Sequence, residues 1–494
     1  MPESRTKNTT RNIVFGVLNK FVAIGLPFVT RTIILYFLGA SFLGIGTLFS
    51  SVLSFLSLAE LGFGSALVYS MYKPIAENDI DKVSALLKYY RKIYRIIGSV
   101  MLGVGTMLVP AIPFLIKGNP PEGINVYILY YIYLINSVIS YFFAGYRQSL
   151  IVAHQRKDIN SKISTLITLF VQFFEILALV ITRNFYVYAF VPVLGTIITN
   201  VTTSYVTKKM YPEIDCRGNL DVQTKSEIKK KISGLMGTKL NSIVIHSADT
   251  IVISAFLGLT LTAKYGNYYY IMNAVCAFIA IIFSSITASV GDKIARESVD
   301  SVYDLFKKIQ FVNVWIVGCC SAYFICLYEP FVKIWVGEEM QLGVGFAALM
   351  TLYFLVYEIQ KTILTFKDAA GLWHKDKLRP YVSMLINVIS NLVLVQIIGI
   401  YGIVLSSILA FMISVPWINK VLFNNLFDRS SRKNLLCIVS MILLIVVASC
   451  LSYLLCAFCP EGILGLALRI IICTVVSNTI FFVVFRKNQN FDFL

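Results

Sequence analysis

Charged side chains are scarce in this chain. They make up 14% of 494 residues, against about 25% in ordinary soluble domains, whereas 57% of residues are hydrophobic and the mean hydropathy is +0.76. A soluble globular protein is thereby excluded, and a polytopic membrane protein is expected. Histidine is rarer still. His154, His246 and His374 lie far apart and form no ligand motif. Of ten cysteines, the close pair Cys456 and Cys459 sits in an apolar run with no His or Asp nearby, so the cysteines read as small buried hydrophobes and no metal or cofactor is expected. The first apolar segment lacks a small-residue cleavage site, so it reads as a retained span behind a cytosolic tail. Also missing is a long outer segment with acid and base groups. The longest outer loop, about 329–344, holds no such arrangement, which disfavours a polytopic glycan polymerase or ligase; the chain is read as a non-enzyme with no catalytic residue.

What the chain does contain is apolar runs of bilayer length. Fourteen emerge, at 12–38, 43–70, 93–116, 124–150, 162–182, 186–207, 233–258, 264–290, 309–328, 345–366, 380–398, 402–423, 434–458 and 462–485. Most reach the ~20 residues that a spanning helix needs. With the N-terminus placed in the cytosol, the inner loops and tails hold 34 of the 43 Lys and Arg, and the outer loops hold Lys117, Arg183, Lys264 and Lys333. That is a positive-inside pattern, which sets both termini in the cytosol of a multi-pass cytoplasmic-membrane protein. It also accounts for the net charge of +17, so nucleic-acid binding is not needed.

The chain repeats itself. A shift of 219 residues aligns Lys20 with Lys239, Phe37 to Gly39 with Phe256 to Gly258, and Asp81, Val83, Leu86 and Lys88 with Asp300, Val302, Leu305 and Lys307; a shift of 218 sets Asp158 on Asp376. The fold class expected is therefore all-α: two pseudo-symmetric six-helix lobes, 1–215 and 216–430, followed by two further helices in 431–494. Even span numbers give the lobes the same orientation, an arrangement known among transporters. The inner stretches 76–92 and 295–308 mix apolar residues at helical spacing with Lys and Arg, and read as short helices on the inner leaflet.

The first span carries Lys20 and Arg31 in its interior. A charge at bilayer depth costs at least ~2.5 kcal/mol and normally faces protein or a watery path. Eleven residues turn a helix through about 1100°, which leaves both cations on one face about 16 Å apart in height.

The run Arg31 to Gly39 (RTIILYFLG), then Gly44, Leu48 and Leu58 to Ala66 (LAELGFGSA), together with Tyr328 to Gly337 (YEPFVKIWVG), resembles the Wzx-type polysaccharide exporters, of the MATE-like MOP superfamily that also holds lipid II flippases and multidrug exporters. The resemblance implies two lobes around a central cavity, alternating access, and a polyprenyl-pyrophosphate-linked oligosaccharide as cargo. It further implies polymerase and glycosyltransferase partners, beside membrane lipids, and H+ or Na+ as a coupling ion of unsettled identity. Such a cargo needs cations for its pyrophosphate and polar or aromatic groups for its sugars.

Lys20, Arg31, Lys239 and His246 are the candidate cations, and Asn267, Tyr268 and Asn273, in the polar-aromatic start of span 8, are the candidate sugar contacts. Each retains a plain alternative: headgroup snorkelling for the lysines, a structural role for His246, and an interfacial aromatic belt for Tyr268 and its neighbours. Glu60 lies at a depth similar to Lys20 and is its candidate ion-pair partner, while Asp249 aligns with Thr30, one residue before Arg31. Arg31 and Asp249 thus form a candidate outer gate. A cation-coupled multidrug exporter of the same fold is the competing function, and cavity charge discriminates: an exporter of cationic drugs should favour acids where this chain carries bases.

Overall fold

The computed structural model describes the backbone of residues 5–60 and 63–486, with side chains described there except at 5–10, 13, 59, 229–239 and 242. Among these residues the protein is all helix and contains no strand. The helices are α1 (Arg5–Phe37), α2 (Ala40–Leu56), α3 (Phe63–Ala76), α4 (Ile80–Met107), α5 (Val126–Phe142), α6 (Gln148–Ala153), α7 (Lys157–Thr182), α8 (Phe185–Met210), α9 (Val222–Leu257), α10 (Leu259–Arg296), α11 (Val299–Val336), α12 (Val344–Ile359), α13 (Lys361–Ala369), α14 (Arg379–Ile398), α15 (Ile400–Leu422), α16 (Ser431–Cys456) and α17 (Ile463–Phe485).

Ten helical segments among the described residues are long and apolar enough to cross a bilayer, and two bent pairs add a span each. Those pairs are α4 with Val109–Leu115, at 58°, and α5 with Gly145–Ala153, at 53°. The shorter apolar helices Ala40–Leu56 and Ile243–Leu257 occupy the remaining two of the fourteen apolar runs. Lipid is the expected solvent of this bundle. Leu166, Phe170, Phe173 and Leu177 on α7 are exposed, as are Leu385, Ile389 and Leu392 on α14, outward faces that only hydrocarbon would solvate favourably.

The chain divides into two compact units, 1–263 and 264–494. In the first, α1 packs on α7, α7 on α8, α5 on α4 and α8, and α2 on α5 and α9. In the second, α14 pairs with α15, which packs on α12, and α11 is flanked by α12, α16 and α17.

The internal duplication is visible in local geometry. Gly39 ends α1 with φ 97° and ψ 174°, and Gly258, its counterpart 219 residues later, ends α9 with φ 95° and ψ 173°. This backbone region is open to glycine and nearly closed to other residues. The Asp79 carboxylate accepts from the Lys82 N–H at 2.9 Å to start α4, and Ser298 accepts from the Ser301 N–H at 3.4 Å to start α11. Both are N-caps, again 219 residues apart.

The matched acids are cross-braces. Asp158, fully buried, takes Arg11 at 2.9 Å and Arg156 at 3.1 Å, and its N–H bonds the Asn12 side chain at 2.7 Å, tying α1 to the start of α7. Asp376 takes Lys367 at 3.0 Å and both arms of Arg379 at 2.7 Å. Arg379 in turn donates to Ser414 of α15 at 2.6 Å.

One expectation needs correction. The basic stretches 76–92 and 295–308 are not separate surface helices: α4 and α11 begin at Ile80 and Val299 and run unbroken to Met107 and Val336, while α3 and α10 end at Ala76 and Arg296. The amphipathic pattern belongs to the ends of long helices, where one face packs and the other is solvated. A surface helix has the same periodicity.

Candidate functional site

Two confluent cavities lie inside the first unit. The α2 wall carries Ser50, Ser54 and Ser57, spaced four and three residues apart, so that they line one face. Each hydroxyl donates to a carbonyl of its own helix: Ser50 to Gly46 at 2.8 Å, Ser54 to Ser50 at 2.8 Å and Ser57 to Ser54 at 2.6 Å. This back-bonding satisfies the donor within an apolar helix and leaves oxygen lone pairs turned to the cavity. Opposite stand Tyr133, Asn136, Ser137 and Tyr141 of α5, at helical spacing, with Tyr188 of α8. Together they enclose about 470 Å³.

Ser57 also lines the adjoining cavity of about 600 Å³, with Glu60, Ser65, Tyr69, Tyr94 and Lys157. Glu60 stands on the 3-10 turn Ser57–Glu60 that follows α2. One of its oxygens accepts the Tyr94 hydroxyl at 2.7 Å and the other that of Tyr141 at 2.5 Å, while Tyr90 donates to Tyr94 at 3.1 Å. A carboxylate among phenols is held by charge-assisted hydrogen bonds, stronger than neutral ones. A second chain runs behind the cavity wall: Thr30 of α1 donates to Gln172, whose amide donates to Glu175 at 2.6 Å, both on α7. Thr196 donates to Asn136 at 2.7 Å, and the Asn200 amide to Ser140 at 2.9 Å, fixing α8 against α5.

The sequence candidates fall in several places. Lys20 is exposed on α1 and, among the described residues, forms no ion pair with Glu60, whose oxygens the two tyrosines occupy. Arg31 is half-buried on α1 and close enough to act electrostatically on Tyr188 of the cavity. His246 is half-buried and Asp249 fully buried on α9. The Lys239 side chain lies outside the described residues.

Asn267 and Tyr268 are fully buried in the second unit, and Asn273 is exposed on α10. Tyr268 bonds Glu329 of α11, accepts the Leu342 N–H at 3.0 Å, and takes the Tyr328 hydroxyl on its carbonyl at 3.3 Å. An interfacial belt does not describe this ring, nor Tyr265 beside it, which is 2% exposed. Glu358 and Lys361 do pair, at 3.7 Å.

Sequence reasoning looked for charges inside spans and so passed over the hydroxyl and phenol wall. The signal was present in the helical spacing of Ser50, Ser54 and Ser57 and of Tyr133, Asn136, Ser137 and Tyr141.

No family model matches the chain, and no curated protein matches it in sequence. Solved structures do match. Lipid II flippase MurJ in an inward closed conformation superposes with a TM-score of 0.69 at 14% identity, over 96% of this chain and 99% of that one. A multidrug resistance MATE family transporter of the MOP superfamily, inward-facing, gives 0.60 at 16% identity, over 83% and 98%. A MOP superfamily transporter from Pyrococcus furiosus, reported under the words "reverse polarity of binding pocket", gives 0.53 at 12% identity, over 85% and 96%. The chain therefore has the polytopic helical fold of MurJ and the MATE transporters.

Proposed function

We propose that the protein is an alternating-access flippase. Its cargo is a polyprenyl-pyrophosphate-linked oligosaccharide, moved from the inner to the outer leaflet of the cytoplasmic membrane for surface polysaccharide assembly. The observation that carries this reading is the cavity wall of the first unit. Serine hydroxyls, the Asn136 amide and the rings of Tyr133, Tyr141 and Tyr188 face one space, and this is the chemistry that binds sugars: hydrogen bonds to hydroxyls and stacking on pyranose faces. Glu60 is the acid on this wall, and its oxygens already hold two phenols. A site for organic cations would instead present open carboxylates. The fold likeness is compatible with both, since MurJ moves a lipid and the MATE transporters are named for drugs.

Within this reading the bases of the repeated first spans, Lys20, Arg31, Lys239 and His246, serve the pyrophosphate, and Arg31 with Asp249 closes the outer side. Desolvation offsets most of what such a pair gains, but removing one partner strands the other charge and shifts the population towards the state that hydrates it.

The test uses the purified full-length protein in proteoliposomes, with a fluorescent lipid-linked oligosaccharide whose transfer is read by a membrane-impermeant glycosidase. Transfer above empty vesicles is expected, and Tyr141→Ala or Asn136→Ala should lower it at least tenfold, about 1.4 kcal/mol of lost interaction. Efflux of an organic cation without any lipid transfer would replace this function with drug export.

A further inference from the structure

In the second unit three cysteines from three helices converge: Cys326 of α11, Cys456 at the end of α16 and Cys473 of α17. All are buried, at 3%, 3% and 0% exposure, and their sulfur atoms lie within 4.8 Å of one another. Cys456 and Cys473 are 4.0 Å apart, and the Cys473 thiol points to the Ala322 carbonyl at 3.5 Å. A single buried thiol behaves as a small hydrophobe. Three that meet at one point beside an open space have a further capacity. Cys326 and Cys456 line a cavity of about 600 Å³ that Glu329, Glu461 and Arg469 also line, so the sulfurs adjoin a polar path, and Arg469 stands one helical turn before Cys473 on α17.

We propose that Cys326, Cys456 and Cys473 form a trigonal site for a soft monovalent metal ion, Cu(I). A metal–sulfur bond of about 2.3 Å at the centre of a triangle holds its sulfurs about 4.0 Å apart, which is the spacing of Cys456 and Cys473. Among the described residues no fourth His, Cys or carboxylate joins the group. Zinc takes four ligands in a closed site, whereas soft sulfur donors in low number favour Cu(I). Binding with loss of two thiol protons leaves one thiol, two thiolates and the ion, a net charge of −1 that the Arg469 guanidinium balances in the apolar interior. Such an ion would fasten the α16–α17 hairpin to α11.

The sequence drew the eye to Cys456 and Cys459; folding supplies Cys456 with partners from other helices.

The experiment titrates detergent-purified full-length protein with Cu(I) under anaerobic reducing conditions against a chromophoric Cu(I) chelator. Three forms are compared: the native chain, Cys473→Ser, and a variant that keeps only Cys326, Cys456 and Cys473. One tightly held equivalent is expected in the native chain and in the three-cysteine variant, with sulfur-only ligation by X-ray absorption, and Cys473→Ser should lose one equivalent. If the three-cysteine variant does not fold, Cys326→Ser and Cys456→Ser in the native background take its place, each expected to lose one equivalent. Equal copper uptake by native and Cys→Ser chains overturns the site, as does a three-cysteine variant that folds and binds none. Displacement of the bound ion by stoichiometric Zn(II) overturns its assignment to Cu(I).

Discussion

At Glu60 and Asp376 the same chemistry, a carboxylate inside a helix bundle, serves opposite ends. The Asp376 oxygens are consumed by Lys367 and Arg379, themselves 1% and 5% exposed. Taking away the acid leaves two buried cations facing nothing, and Asp376→Ala should destabilise the protein by about 3–5 kcal/mol, read as a lower melting temperature of the full chain in detergent. Asp158→Ala should cost less, because Arg11, Arg156 and Lys162 around it are partly exposed and water screens them. Equal losses at the two positions would contradict this use of burial.

Glu60 instead organises a cavity wall. Glu60→Ala strands the Tyr94 and Tyr141 hydroxyls and should cost about 1–3 kcal/mol, whereas Glu60→Gln retains an acceptor and should keep most of the stability. Both should slow lipid transfer by disordering the two rings. Transfer at the native rate in Glu60→Ala would remove this network from the transport path.

The sequence was most informative where a residue recurs for backbone reasons. Gly39 and Gly258, Asp79 and Ser298, and Asp158 and Asp376 each mark a junction, and junction chemistry survives duplication even when the apolar faces between drift. It was least informative where polarity hides inside an apolar average. A serine or tyrosine every three or four residues barely lowers the hydropathy of α2 or α5, so the site wall passed as ordinary span.

Gly44 carries the sharpest steric demand among these elements. A Cβ there would sit 2.1 Å from the Leu259 carbonyl oxygen, and carbon–oxygen contacts stop near about 3.3 Å, so Gly44→Ala must part α2 from the α9–α10 junction by about 1 Å. That junction is also held by Ser254, which donates to the Leu115 carbonyl at 2.6 Å and accepts the Lys117 N–H at 3.0 Å. In a chain with the exposed Cys437 and Cys450 replaced, Gly44→Ala should raise maleimide labelling of Ser254→Cys at least threefold. Gly39→Ala, where a Cβ meets nothing within 4 Å, strains only the backbone and should leave labelling unchanged. Equal labelling in both variants would mean that close approach at Gly44 does not hold this end shut.

On the scale of the whole molecule, the repeat and the compact units do not share a boundary. The second repeat opens with α9, yet α9 packs on α2 and α3, and the first unit extends to Ala263. The face of α2 that carries Leu43, Ile45, Leu48 and Phe49 is buried, and α9 supplies part of its cover. Synthesis proceeds from the N-terminus, and units close as their parts emerge. The nascent chain therefore leaves the ribosome with six spans inserted and one wall open, and it must wait for residues encoded by the second copy before the first can settle. Chains released after residue 215 should be degraded by membrane proteases faster than chains released after Gly258, in pulse-chase of truncated forms. Equal lifetimes would mean that the first six spans hold together without borrowed cover. The duplication that created this protein was thus not followed by two independent halves: each newly made molecule depends on its later half to finish its earlier one.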